Sequence, residues 1–291
     1  MITIGLRSSI ATTLFAVLVC GSSQVALGQG QRPPVVTTVP RTIHPGDVVR
    51  IGVSGRAEDR IGATVFGQAL SFTFDETRRV WTALAGVDLE VKPGAYRLRV
   101  QRNGAAARTQ TIQVVRKRFA VRRLRVSGSF VEPPAEALAQ ILLDGKILAE
   151  VYARVTPQQW TGAFLQPVDG PATSNFGTRS YYNGSLRSPH AGVDFVGKTG
   201  TPIRAANHGG VALASSLYFT GNTVIVDHGA RLFSVFAHLS EIHVKEGDIV
   251  SPETIVGLVG ATGRVTGPHL HWSVRLNGAR VDPMSLIAAT K

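Results

Sequence analysis

Apolar and polar positions alternate through two long stretches of this 291-residue chain, and a helical period separates them. Val48-Val49-Arg50-Ile51-Gly52-Val53, Leu70-Ser71-Phe72-Thr73-Phe74, Tyr96-Arg97-Leu98-Arg99-Val100 and Thr109 to Val114 carry the period of two that sends successive strand side chains to opposite faces. Pro45-Gly46, Pro93-Gly94 and Asn103-Gly104 punctuate them as turns. Short strands at this spacing over residues 35–115 predict an immunoglobulin-like β-sandwich. It holds no catalytic constellation, so its expected role is a spacer or targeting module.

Residues 116–165 read as a linker with a helix. Pro133-Pro134 introduces Ala135 to Val155, whose apolar positions recur at helical spacing, and Gly145 is expected to split or kink it. The apolar stripe is expected to pack against a domain, with a position across a groove as the alternative. Alternation resumes over residues 166–291, with strands expected at Pro202 to Leu213, Asn222 to Asp227, Leu232 to His238, Ile255 to Gly260 and His269 to Leu276. Asn277-Gly278 closes the last as a hairpin turn. Val244 to Gly260 is similar to the hairpin of lipoyl- and biotinyl-type barrels, but no lysine between methionines is present to be modified. Ser174 to Gly184 and Ala214 to Gly221 are expected loops, with Arg179, Tyr181 and Tyr182 as candidate substrate contacts.

The chemistry lies in three clusters of this second stretch: S-P-H-A-G-V-D with His190 and Asp194, V-F-A-H-L-S with His238, and T-G-P-H-L-H-W with His269 and His271. Imidazole and carboxylate are donors that zinc accepts, and a catalytic zinc site needs fewer than four of them plus groups that move protons. His269 and His271 flank Leu270, so a strand presents both imidazoles on one side. Pro189, Gly192 and Val193 argue that His190 sits in a loop running into a strand that carries Asp194. No H-E-x-x-H is present, so a glutamate base of that type is not indicated. His44, His208, His228 and His243 read as structural, with His208 and His228 beside glycines as turn residues.

Together, H-x-x-x-D, A-H-L-S and H-L-H resemble the lysostaphin/LytM-type zinc metallopeptidases, over residues 165 to 287. The resemblance implies a mainly β, barrel-sandwich-like antiparallel domain and cleavage of peptide bonds in peptidoglycan. It also implies one zinc ion held by His190, Asp194 and His271, with His238 and His269 as catalytic histidines that do not bind metal. The chain has Phe236 where that family often has tyrosine, which removes a hydroxyl near the site without touching a ligand.

The first 28 residues read as a secretory signal, with Arg7, an apolar stretch from Ile10 to Val19, and Ala26-Leu27-Gly28 as cleavage site. The apolar stretch is short for a membrane span. Cys20 falls inside the signal, so the cleaved chain has no cysteine and no disulfide. Export leads to a periplasmic, envelope or extracellular location. The net charge of +12 peaks at Arg116-Lys117-Arg118 with Arg122 and Arg123. Export and the lack of any nucleic-acid motif argue against nucleic acid as its partner, leaving anionic wall polymers, a membrane surface or a solvated basic face. The expected function is an exported zinc endopeptidase acting on peptidoglycan. The alternatives are a non-catalytic wall-binding or hydrolase-activating protein on the same fold, and a peptidase of soluble peptides.

Overall fold

Eight strands build the first module of the computed structural model, which describes Met1, residues 34–125 and residues 133–291. Apart from Met1, the signal read in residues 1–28 lies outside the described residues. The strands are β1 (Val36–Val39), β2 (Val48–Ser54), β3 (Ile61–Val65), β4 (Gln68–Ala69), β5 (Thr73–Asp75), β6 (Val80–Gly86), β7 (Gly94–Arg102) and β8 (Arg108–Val114). They form two four-stranded sheets, β1-β2-β6-β5 and β4-β3-β7-β8. Val49, Ile51, Val53, Ala83 and Ala85 of the first sheet meet Ala63, Val65, Leu98, Val100, Ile112 and Val114 of the second in a sandwich core. Leu70 to Phe74 is not one strand: only Thr73–Asp75 pairs, and residues 70–72 cross between the sheets.

The intermediate residues do more than link. Val121–Leu124 forms β9, which pairs with a strand of the second module. A 3₁₀ turn at Ala135–Ala137 leads into α1 (Leu138–Ala153). Gly145 neither splits nor kinks α1 into two elements: it is solvent-facing, nothing lies near its missing Cβ, and the helical hydrogen bonds run past it. Val151, Ile147, Leu148 and Tyr152 pack on Leu213, Leu217, Ile225, Phe233 and Val235, so the second module covers this face of α1, while Leu138, Leu142 and Leu143 are exposed. The Asp144 carboxylate fastens this contact by accepting from Tyr218 N at 2.7 Å. No helix among the described residues is long and apolar enough to cross a membrane.

The second module contains β10 (Ala172–Ser174), β11 (Arg179–Tyr182), β12 (Ser185–Leu186), β13 (Gly192–Val196), β14 (Pro202–Arg204), β15 (Gly209–Leu217), β16 (Gly221–Gly229) and β17 (Leu232–Ile242). After them come β18 (Ile249–Val250), β19 (Ile255–Val259), β20 (His269–Leu276), β21 (Ala279–Val281) and α2 (Pro283–Thr290). The main sheet runs β10-β13-β20-β17-β16-β15-β18, with β21 on β20 and the β14–β19 pair joined through β17. β20 and β21 form the expected hairpin, with Asn277 at φ 51° and Gly278 at φ 81° as a primed turn demands. Two expected loops are partly strand: Arg179–Tyr182 is β11, and β15 runs on through Leu217 because Ala214 to Leu217 pair with β16.

His228 is a further correction, since it is a fully buried residue of β16 and not a turn residue. Its Nδ1 donates to His208 O at 2.7 Å, and its Nε2 accepts from Ser234 Oγ at 2.9 Å. Burial pushes its pKa down from the usual 6.5 to about 4. Between those values the unfolded chain holds a proton that the folded one refuses. The stability this group confers is therefore complete above pH 6.5 and is lost as the pH falls toward 4. The full loss is on the order of 3 kcal/mol at 1.36 kcal/mol per unit. Urea unfolding at pH 7 and pH 4.5 is expected to show a smaller acid loss for His228→Gln than for wild type. An equal loss in both would remove His228 as the cause.

The sandwich and the second module share a core. Val48 and Leu89 are buried among Leu276, Val281 and Leu286, and Leu84 of β6 packs there too. Gly86 permits the approach, because a Cβ on it would lie 2.9 Å from Ala279 Cβ and from Leu276 O. Arg280 on β21 forks onto Asp88 at 2.7 and 3.0 Å and reaches Glu90 at 2.6 Å. Burial raises the Asp88 pKa, but the hydrogen bonds from Arg280 and Glu90 and the Arg280 charge win and hold it at about 2. A bidentate, half-buried pair of this kind outweighs an ordinary surface ion pair.

Candidate active site

The site is built by strand register. Asp194 on β13 is the direct cross-strand partner of His271 on β20, so both side chains leave the same face of the sheet. Leu270 and Trp272 alternate to the opposite face, where both are fully buried. Gly192 makes room, since a Cβ there would lie 2.6–2.7 Å from the His271 ring. His190 arrives from the loop before β13, fixed by His190 N donating to Thr178 O at 3.0 Å and Gly177 N to His190 O at 2.7 Å.

Three donor atoms converge. His190 Nε2 lies 2.9 Å from Asp194 Oδ1 and 3.0 Å from His271 Nδ1, and His271 Nδ1 lies 2.9 Å from Asp194 Oδ1. His190 Nδ1 faces Asn175 O at 3.2 Å, which assigns the ring proton there and leaves Nε2 with its lone pair inward. Lone-pair donors facing one another at this distance repel unless a cation or proton sits between them. Zinc bonds of about 2.0–2.1 Å in a tetrahedron give donor separations of roughly 3.3 Å, close to those observed. The donor set fits a zinc ion with its remaining position open. Burial raises the pKa of Asp194, but the hydrogen bonds and charges of His190 and His271 hold it well below the usual carboxylate range. Burial also pulls the His271 pKa down. Both partners thus favour the deprotonated state that binds metal.

His238 and His269 complete the cluster, their ring centroids 4.9 Å apart. Each is fixed by a carbonyl: His238 Nδ1 donates to Thr262 O at 2.9 Å and His269 Nδ1 to Gly267 O at 2.8 Å. Each therefore keeps Nε2 as a proton acceptor, and His269 Nε2 lies 3.8 Å from Asp194 Oδ1. His238 reaches this position through a left-handed backbone, φ 67°. In a regular strand it would follow Phe236 to the core face; the left-handed turn brings it round to the metal donors. Such a conformation is sparsely populated for a residue with a Cβ and is held here by His238 N donating to Thr220 O at 2.9 Å. Burial and the neighbouring His271 push the His238 pKa to about 4, so the ring is neutral at pH 7.

The structure thus brings His190, Asp194, His238, His269 and His271 together at one cavity of about 580 Å³. Tyr182 lines it, while Arg179 and Tyr181 do not, because β11 alternates and turns them away. Phe236 is fully buried with Trp272 in the core behind the sheet, so the hydroxyl it lacks would not face the imidazoles. Sequence reading missed the carbonyls of Thr262, Gly267 and Asn175; the density of glycines at 260, 263 and 267 was the available signal. It also missed the wall contributed by Arg122 and Leu124 of β9.

Comparison with known proteins agrees with this geometry. Residues 188–283 match the family model "Peptidase family M23". The chain is 40% identical over 121 residues to the peptidoglycan DD-endopeptidase ShyA of Vibrio cholerae, covering 40% of this chain and 28% of ShyA. It is 34% identical over 148 residues to the DD-carboxypeptidase/endopeptidase Mpg of Neisseria meningitidis, covering 50% and 32%. The chain thus spans about a third of the length of these relatives. A crystal structure from Pseudomonas aeruginosa assigned to the M23 peptidases shares 35% identity with a TM-score of 0.68, covering 84% of this chain and 95% of that one. That share is more than the second module alone can fill, so the likeness extends into the sandwich. With the metal-binding triangle inside the matched residues and a solved relative covered almost from end to end, the chain belongs to peptidase family M23.

Proposed function

We propose that this chain is a zinc-dependent endopeptidase that hydrolyses peptide bonds in peptidoglycan stem peptides or cross-links. The supporting observation is the convergence of His190 Nε2, Asp194 Oδ1 and His271 Nδ1 beside two imidazoles whose Nδ1 protons are already committed to backbone carbonyls. Zinc in that triangle supplies Lewis acidity and lowers the pKa of water to about 7. His238 and His269 offer Nε2 to accept a proton from the attacking water, to donate to the developing oxyanion, or to return a proton to the leaving amine. The neutral state of His238 at pH 7 suits the first of these tasks; the fixed tautomers keep the acceptor atoms on the cavity side without reorganisation.

Peptidoglycan as substrate is supported by the names of the relatives, ShyA and Mpg. Export is proposed from the signal-like residues 1–28, with the periplasm, envelope or medium as the proposed location. The sandwich is proposed as a spacer or targeting module, and the basic surface as a contact for anionic wall polymers or a membrane surface.

The test is release of soluble muropeptides from purified sacculi by the mature protein, with zinc and with chelator. Release that chelation abolishes and zinc restores is the expected result, and mass spectrometry of the fragments names the bond. Undiminished sacculus binding with no release from folded, zinc-loaded protein would replace this reading with that of a non-catalytic wall binder. Cleavage of soluble peptides alone would replace the substrate.

A further inference from the structure

Resting on that peptidase reading, we infer that Thr262 is a positioning residue for His238, gripping two consecutive residues of β17 so that this ring keeps its proton on Nδ1 and Nε2 toward the cavity. One hold is through the main chain, where Thr262 O accepts from His238 Nδ1 at 2.9 Å. The other is through the side chain. Thr262 Oγ1 donates to Leu239 O at 2.7 Å and accepts from Asn222 N at 2.9 Å. Leu239 and Asn222 are cross-strand partners on β17 and β16, so the hydroxyl bridges the two strands at the residue next to His238.

The strand does not keep this geometry by itself. Asn222 pairs with Leu239 and Val224 with Phe236, so Ala237 and His238 together stand opposite Thr223 alone. That is a β-bulge, which re-aims a side chain, and His238 takes φ 67° within it. A residue with a Cβ stays in that conformation only where its surroundings fix it. The bond from His238 N to Thr220 O fixes the backbone, and Thr262 fixes the ring and the carbonyl that follows. Thr262 is itself wedged in place against Gly221, where a Cβ would collide with its carbonyl carbon and its hydroxyl. A threonine hydroxyl donates and accepts at once, whereas a valine of the same shape does neither.

The bland alternative is that the hydroxyl only ties β16 to β17 and the ring stays in place without it. Thr262→Val removes the hydroxyl at constant shape, and Thr262→Ser keeps it. Thr254→Val is the control, since Thr254 Oγ1 accepts from Ser251 N at 3.0 Å in a turn that does not line the site cavity. For each, zinc per chain, muropeptide release and the imidazole nitrogen spectrum of His238 are measured, the signals being assigned by their loss in His238→Gln. Thr262→Val is expected to keep its zinc and its half-saturating sacculus concentration while its maximal rate falls about ten- to a hundredfold, as a misplaced catalytic group costs. Its His238 ring is expected to populate both tautomers. Wild type, Thr262→Ser and Thr254→Val are expected to share one rate and to show the Nδ1–H tautomer alone. An unchanged rate in Thr262→Val, a slow Thr262→Val with a single tautomer, or a Thr262→Ser as slow as Thr262→Val would overturn the inference. Should Thr262→Val not fold, Thr262→Cys takes its place with the same expectations, because a thiol is a weak donor and acceptor. Should folded, zinc-loaded wild type release nothing, the peptidase reading fails by itself. The spectra then decide on Thr262: two tautomers in the variant against one in wild type support the hold, and one in both refutes it.

Discussion

Replacing His271 with alanine is expected to abolish zinc binding and peptidase activity together while leaving the fold intact. The imidazole sits on the open face of β20, whereas the residues on either side of it, Leu270 and Trp272, are fully buried on the other face and carry the packing. Truncation therefore removes a metal donor without opening a core cavity. What remains is His190 and Asp194, two donors 2.9 Å apart with no third, against the three or more that protein zinc sites use. Zinc per chain, measured by atomic emission after desalting, is expected to fall from one toward zero. Thermal melts add a second reading. Ligand that binds only the folded state stabilises it by about 2.7 kcal/mol at a hundred times its dissociation constant. Zinc should thus raise the melting temperature of wild type and leave His271→Ala unmoved, while the metal-free forms melt alike. One tightly held zinc per chain in the variant would show that another donor set binds the ion.

Replacing His238 with alanine is expected to separate chemistry from metal binding. Its Nδ1 is spent on Thr262 O, and its ring lies 6.0 Å from that of His271, outside the donor triangle. Loss of a positioned proton-transfer group typically costs about 10²–10⁴-fold in rate. kcat should fall within that range with zinc stoichiometry unchanged. The same result is expected for His269→Ala, which keeps the triangle but frees Gly267 O. If either variant loses its zinc, that histidine belongs to the ligand set and its assignment as a proton carrier is wrong.

The sequence made the β-architecture legible where one strand face is buried and the other wet, as at Leu98 and Val100 in β7 or His269 and His271 in β20. It was least legible where both faces are covered. β6 escaped prediction because Ala83 and Ala85 enter the sandwich core while Leu84 packs on the other module, and its apolar run does not alternate. β9 escaped for the opposite reason: Val-Arg-Arg-Leu is short and charged, and it becomes a strand only because β11 presents an edge. All five candidate site residues were visible from ligand type and spacing. The left-handed backbone at His238 and the Thr262 carbonyl that orients its ring were not, because local sequence does not encode a partner that lies 24 residues away.

The Arg280 tie has a mechanical meaning. β21, which bears Arg280, is hydrogen-bonded along β20, the strand that bears His269 and His271, and Arg280 grips Asp88 and Glu90 at the end of the sandwich. Anything the sandwich grasps is thereby held at a set distance and angle from the blade. On the proposed reading of the sandwich as a targeting module, such a body is a ruler: along a long polymer, the bonds within its reach are those at one offset from the point of attachment.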